Sequence, residues 1–166
     1  MHTIILEYIW LDGHGGLRSK YKTVYVEDPI RFELEQWNYD GSSTYQAETE
    51  NSEIILNPVQ KYKNPFFEGE AIAYLVLCDT YRRENGTLVP TESNHRAAAK
   101  MVFEKTDAHM PWFGIEQEYF MMSNNHTYDS ITPPFFKEQT PQKQGQYYCG
   151  VGTQQILYRL LAEKHY

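Results

Sequence analysis

The protein has 166 residues, a length that suits one ordinary domain or two small ones. Hydrophobic residues make up 41% of the chain and charged residues 22%, which predicts a packed core and argues against wholesale disorder. The formal net charge of −7, without a Lys/Arg cluster, argues against nucleic acid and anionic membranes as primary partners. A bound cation or a phosphate–metal complex fits this charge better.

The first part of the chain predicts a β-hairpin followed by a loop. Residues 3–10 and 17–26 are rich in β-branched and aromatic side chains, and the Gly-rich residues 12–16 between them allow a tight reversal. His14, at the tip of this turn, is expected to be an ordinary solvated residue. Residues 37–44 carry Asn, Asp, Gly and Ser, which predict a loop.

Two further strands are predicted before the pattern changes near residue 85. Residues 53–57 form a short strand candidate that Pro58 should end. Residues 71–78 form a continuous apolar run, which favours a central and well-buried strand. Asn85-Gly86 marks a boundary, because this dipeptide favours a turn.

A helix is predicted over residues 94–105, with Thr91 or Ser93 as its N-cap. Ala97, Ala98, Met101 and Val102 would give it one apolar stripe. Residues 123–144 lack periodicity and predict a long loop, of the kind that is usually functional or mobile.

The last part of the chain predicts an amphipathic helix that Thr153 can cap. This helix runs to Tyr166 without a stop signal, so we expect the chain to be interrupted there. The apolar face of the helix would then need a partner that buries it. Cys78 and Cys149 lie outside any C-x-x-C pattern and are expected to be reduced thiols. With no predicted signal peptide or membrane span, a cytoplasmic location is expected.

Residues 112–119 place two carboxylates two positions apart in an aromatic run. In a strand, Glu116 and Glu118 would point to the same face, with Cα atoms roughly 6.5–7 Å apart. Two like charges on a half-buried face are costly unless Arg or Lys, a divalent metal or a shared proton offsets them. The spacing suits oxygen ligands of hard divalent cations. The alternative is an exposed edge strand that carries two Glu by chance.

Six collinear segments resemble the eukaryotic-type glutamine synthetases, and together they span nearly the whole chain. They are LEYIWLDG (6–13), WNYDGSST (37–44), LVLCDTY (75–81), ESNHR (92–96), WFGIEQEY (112–119) and YYCGVG (147–152). The resemblance implies an α+β fold, with an N-terminal β-grasp domain at residues 1–85. Residues 86–166 would begin the catalytic domain, whose sheet is antiparallel. It also implies a homo-oligomeric ring with active sites at subunit junctions.

The resemblance further implies ATP-dependent ligation of ammonia to glutamate through γ-glutamyl phosphate. Glu116 and Glu118 match carboxylates that bind two divalent metals, Mg²⁺ or Mn²⁺. Glu116 would therefore also belong to the cofactor-binding site. ATP would be a substrate of the reaction. Asp40 and Ser43 match residues that act in the neighbouring subunit's ammonium pocket, and Tyr148 matches a Tyr that lines it. By their residue types alone, Asp40 would form an Asx-turn and Tyr148 would pack in a core.

The sequence also departs from the family pattern. Residues 141–146 have less Gly and Pro than is usual there, and the 166 residues contain none of the family's further metal carboxylates, metal-binding His, nucleotide-binding segment or glutamate-binding arginines. We therefore expect the N-terminal half of a synthetase, inactive alone, with glutamate, ammonia and ATP as partners of the whole. The alternatives are a non-catalytic interaction or regulatory subunit that joins a full-length synthetase, and a metal-binding remnant.

Overall fold

The computed structural model describes residues 1–116 and Glu163. The chain divides into two compact units, Met1–Pro111 and Trp112–Tyr166. The strands and the helix described below belong to the first unit. The division into domains at residue 85 stays a prediction.

A mixed sheet forms the body of the first unit. In chain order its strands are β1 (His2–Leu11), β2 (Leu17–Val26), β3 (Trp37–Asp40), β4 (Glu53–Lys63), β5 (Ile72–Glu84) and β6 (Thr87–Pro90). Five strands lie side by side in the order β2-β1-β5-β4-β3. The short strand β6 is not part of this series and pairs with β5. The pair β1–β5 is parallel and the other pairs are antiparallel. This sheet-rich architecture agrees with the predicted α+β class.

The predicted hairpin and the predicted central strand are confirmed. β1 and β2 pair along their whole length, from His2 opposite Val26 to Leu11 opposite Leu17. β5 lies between β1 and β4. It runs six residues past the apolar segment, to Glu84, because β4 and β6 pair with the backbone of its polar end.

Two strand predictions are wrong. β3 occupies the start of the segment predicted as a loop, because antiparallel pairing with residues 53–56 of β4 satisfies its backbone. β4 does not end at Pro58 but continues to Lys63. The register of β4 against β5 shifts between Pro58 and Gln60, and such a bulge accommodates a proline that has no N–H for the ladder.

Helix α1 (His95–Thr106) matches the predicted helix to within one residue at each end, but its N-cap is neither Thr91 nor Ser93. Asn94 is the cap, and its Oδ1 accepts a hydrogen bond from the backbone N–H of Ala97 at 3.1 Å. Local sequence could not separate three neighbouring residues that can all cap a helix. The Met101 and Val102 side chains of the predicted stripe are exposed.

The hydrophobic core lies on one face of the sheet. Alternate residues of β1 supply its centre: Ile4, Leu6, Tyr8 and Trp10, all buried. Partly buried side chains from the segment after β2, including Phe32 and Leu34, pack against them. The Tyr8 hydroxyl donates to the carbonyl of Glu35 at 2.8 Å, so this segment is also held by a hydrogen bond.

Several predictions fall on the second unit. Residues 112–116 are not in a strand, so the predicted strand is wrong for them. A run of aromatic and apolar residues suits a pleated surface, but a strand exists only where a neighbouring backbone pairs with it. The rest of the predicted strand, the predicted long loop, Cys149 and, apart from Glu163, the predicted final helix lie outside the described residues.

Two further observations concern Cys78 and membrane spans. Cys78 is a free, buried thiol, as predicted, and burial raises its pKa to about 12. Within residues 1–116 and Glu163, no helix is long and apolar enough to cross a membrane.

Candidate functional site

Asp40 ends β3 and caps the short 3-10 turn Gly41–Thr44. We call residues 40–44 the Asp40 turn. The Asp40 Oδ1 accepts hydrogen bonds from the Ser42 hydroxyl at 2.6 Å and the Ser42 backbone N–H at 3.0 Å. These bonds, the hydroxyl first, hold the pKa of Asp40 below its usual value. The turn therefore presents an exposed, ionised carboxylate at neutral pH.

Ser43 lies in the same turn as Asp40, so the structure brings these two predicted site residues together. The Ser43 side chain is exposed, and its hydroxyl donates to the backbone carbonyl of Asp40 at 3.2 Å. The predicted Asx-type geometry of Asp40 is present as well. It orients the carboxylate, which stays exposed to solvent.

The base of the Asp40 turn packs closely against β4. The Gly41 N–H donates to the carbonyl of Ser52 at 2.7 Å, and the Gly41 carbonyl accepts from the Gln46 N–H at 3.0 Å. A Cβ atom at position 41 would lie 2.3 Å from Cγ1 of Ile54. Only glycine therefore fits without a shift of β4.

Gln46 lies just after the turn and is the centre of a buried polar cluster. Its Oε1 accepts from the hydroxyls of Tyr39 and Thr44, and its Nε2 donates to the Leu11 carbonyl at 3.1 Å and to Ser93 Oγ at 2.9 Å. Burial raises the pKa of Tyr39, so its hydroxyl stays protonated as a donor. This cluster joins the Asp40 turn to β1 and to the segment before α1.

The hairpin turn, residues 12–16, is organised by Asp12. Its Oδ1 accepts from the backbone N–H groups of His14 at 2.9 Å and Gly16 at 2.8 Å, and its Oδ2 pairs with Nε of Arg18 at 2.8 Å. The Arg18 hydrogen bond is the largest of the effects that lower the Asp12 pKa. A nearly buried carboxylate thus stays ionised and keeps the turn closed.

The hairpin turn and the Asp40 turn contact each other. The Gly13 N–H donates to the Thr44 carbonyl at 2.9 Å, and a Cβ on Gly13 would lie 2.1 Å from the carbonyl oxygen of Tyr45. The His14 ring stacks on Tyr45 with centroids 4.0 Å apart. His14 is exposed, as predicted for a turn residue, but it also packs. Tyr45 has a φ of 60°, an uncommon conformation for a residue with a side chain.

A cleft of about 750 Å³ lies beside the two turns and the start of α1. Residues from all three regions line it, among them Gly13, His14, Ser42, Tyr45, Ser93 and His95. Arg82 and Glu92 contribute opposite charges to its wall.

The other predicted site residues belong to the second unit. Glu116 is exposed, whereas Glu118 and Tyr148 lie outside the described residues. Within the described part of the chain, no group of three or more His, Cys, Asp or Glu side chains could hold a metal ion. The roles of Glu116, Glu118 and Tyr148 therefore stay predictions.

Sequence reasoning did not find Gln46, and it described residues 12–16 only as a turn. An Asp followed by glycines directly after a strand is a usable signal for the role of Asp12. For Gln46 there is no local signal, because its partners Leu11 and Ser93 are 35 and 47 residues away.

Comparison with known proteins identifies the relatives of this chain, although no protein-family model matches it. It is 43% identical to a glutamine synthetase of Agaricus bisporus over 96% of the chain, and 45% identical to the chloroplastic leaf isozyme of Hordeum vulgare over 98%. It is 44% identical to the cytoplasmic glutamine synthetase 2 of Drosophila melanogaster over 96%. The chain spans 43%, 36% and 41% of these relatives, respectively. Over almost its whole length, the chain is therefore a homologue of the eukaryotic-type glutamine synthetases.

Proposed function

We propose that this chain supplies an N-terminal β-grasp domain and the first part of the catalytic domain of a glutamine synthetase. The assembled enzyme would join ammonia to glutamate at the expense of ATP, through γ-glutamyl phosphate, in a homo-oligomeric ring. Identity of 40–45% to glutamine synthetases over at least 96% of the chain supports the assignment. The mixed sheet with few helices is compatible with it.

The observation that carries the proposal is the geometry of the Asp40 turn. Asp40 offers an exposed carboxylate whose pKa is lowered, and the exposed Ser43 hydroxyl lies in the same turn. An ionised carboxylate attracts ammonium and can accept its proton. The resulting ammonia would attack the γ-carbonyl carbon of γ-glutamyl phosphate, the bond from that carbon to the phosphate oxygen would break, and the phosphate would leave with the proton that the attacking nitrogen loses. The turn is proposed to act in the active site of the neighbouring subunit.

Glu116, Glu118 and Tyr148 complete the proposed set. Carboxylate oxygens are suitable ligands for Mg²⁺ or Mn²⁺, and Glu116 and Glu118 would each contribute one such group. When bound, these metals neutralise phosphate oxygens during phosphoryl transfer. Tyr148 would line the ammonium pocket, where a phenol oxygen and an aromatic ring both suit a small cation.

Asp40→Asn in the assembled enzyme tests the proposal. The amide keeps the size of the carboxylate but has neither its charge nor its basicity, so kcat/KM for ammonium should fall by about 100-fold or more. The measurement is ammonium-dependent ADP release with saturating glutamate and ATP.

Asp28→Asn is the matched control. Asp28 also accepts backbone N–H groups in a turn, from Ile30 and Arg31, and its pKa is lowered too. We expect this variant to retain normal activity. An Asp40→Asn enzyme that uses ammonium within twofold of the unmodified enzyme would contradict the proposed role. The 166-residue chain by itself should release no ADP.

A further inference from the structure

We propose that Gln46 is a positioning residue that holds the Asp40 turn in place. The catalytic consequence of this inference rests on the proposed ammonium role of the turn, but the positioning itself does not. Gln46 is not expected to touch a substrate, because its side chain is committed to other residues of the chain and only 8% of its surface is exposed.

The Gln46 amide uses its full hydrogen-bonding capacity. Its oxygen accepts from Tyr39 and Thr44, and its nitrogen donates to Leu11 and Ser93 and, at the longer distance of 3.4 Å, to the Thr80 hydroxyl. A primary amide has two acceptor lone pairs and two N–H donors, so these contacts occupy all of them. No other uncharged side chain of similar length provides this combination.

The partners of Gln46 come from separate parts of the fold. Thr44 belongs to the Asp40 turn and Tyr39 to β3, whereas Leu11 ends β1 and Ser93 precedes α1. Because the amide bonds to all of them at once, the turn cannot shift without breaking buried hydrogen bonds. Such bonds are costly to leave unmade where water is excluded.

Gln46→Glu isolates the hydrogen bonds from the packing, because the two side chains have nearly the same shape. A carboxylate has no donor for the Leu11 carbonyl or for Ser93, and it faces that carbonyl with negative charge. A protonated carboxyl group regains one donor. Burial favours that protonated form, so acidification should partly restore the turn in this variant.

Amide hydrogen exchange on the 166-residue chain provides the test. The reporters are the N–H groups of Gly41, Gln46 and Ala47, which close the turn against the carbonyls of Ser52 and Gly41. In Gln46→Glu we expect their exchange to be about tenfold faster near neutral pH, after correction for intrinsic rates. Partial recovery should follow at about pH 4, near the ordinary pKa of Glu.

Two controls separate positioning from general destabilisation. Gln60→Glu adds the same charge at an exposed position of β4 and should leave the reporters unchanged. The amides of Ile4 and Leu6 in the core strand β1 should keep their protection in Gln46→Glu. Loss of the hydrogen bonds alone would produce this pattern, whereas a loosened fold would expose both regions.

Unchanged exchange at the three reporters in Gln46→Glu would overturn the proposal. If that variant fails to fold, Tyr39→Phe replaces it, because it removes one donor to the amide and keeps the aromatic ring. Faster exchange at the same reporters supports the proposal, and no change overturns it.

A kinetic measurement distinguishes this inference from the proposed function. In the assembled enzyme, Gln46→Glu should raise KM for ammonium at least fivefold and change kcat less. A fivefold change corresponds to about the free energy of one hydrogen bond. If Asp40→Asn leaves ammonium use intact, the ammonium role fails, and the exchange result still decides whether Gln46 positions the turn.

Discussion

At the scale of single residues, two aspartates organise neighbouring turns with different consequences. Asp12 is only 3% exposed, and its two oxygens are committed to backbone N–H groups and to Arg18. Asp40 accepts hydrogen bonds from Ser42, and a smaller interaction with the Ser52 side chain also lowers its pKa, but its carboxylate stays exposed. The first carboxylate therefore stabilises the chain, whereas the second is available to a ligand.

The Asp12 contacts predict a pH-dependent stability. Its pKa in the folded protein is lowered from 3.8, so ionised Asp12 stabilises the folded state above that value. This stability is lost as the pH falls below 3.8 and through the lowered pKa. Urea unfolding of the unmodified chain and of Asp12→Asn, from about pH 6 to about pH 2, measures the effect.

The unfolding midpoint of the unmodified chain should exceed that of Asp12→Asn near pH 6, and the two should converge in acid. The comparison removes the contributions of Asp28 and Asp40, whose pKa values are also lowered but which both chains share. Curves that stay parallel over the whole range would show that Asp12 does not contribute in this way.

At the scale of elements, local pattern predicted the pieces whose structure is local. Residue composition and a Gly-rich turn predicted β1 and β2, the spacing of apolar residues predicted α1, and a continuous apolar run predicted β5. Local pattern missed β3 and the second half of β4, because these depend on pairing between separate segments. A single proline looked like a stop signal, but a bulge accommodates it.

Asn94 shows how one side chain can connect two elements. Its Oδ1 caps α1 through the Ala97 N–H at 3.1 Å, and its Nδ2 donates to the carbonyl of Thr80 in β5 at 3.0 Å. Thr91, which was a candidate cap, instead lies within 2.6 Å of the Thr80 hydroxyl. The start of the helix is thereby anchored to the central strand.

Asn94→Ala should therefore lower the free energy of unfolding by about 0.5–2 kcal/mol, the range for loss of an N-cap. Chemical denaturation followed by circular dichroism measures this difference. The matched control is Asn51→Ala at an exposed position, which should change stability by less than about 0.5 kcal/mol. Equal effects of the two substitutions would show that the observed contacts of Asn94 do not stabilise the fold.

At the scale of the whole molecule, the first unit depends on a core on one face of its sheet. Leu56 of β4 belongs to this core and has no exposed surface, whereas Leu17 of β2 is 75% exposed. Leu56→Ala should cost about 2–5 kcal/mol through lost burial and a residual cavity. Leu17→Ala should cost less than about 0.5 kcal/mol. Urea midpoints give both values, and a small loss for Leu56→Ala would place the core elsewhere.

The hairpin, the central strand, the first helix and the resemblance to glutamine synthetases were all predictable from the amino-acid sequence, as was the interest of Asp40 and Ser43. These features are encoded in residues close together along the chain, through side-chain periodicity, turn chemistry and contiguous motifs. Three features depend on the folded chain: Asn94 caps the helix, Pro58 lies within a strand, and Gln46 bonds to Leu11 and Ser93. Each of these depends on which distant backbone or side chain comes within hydrogen-bonding reach, and that is settled only when the strands pair.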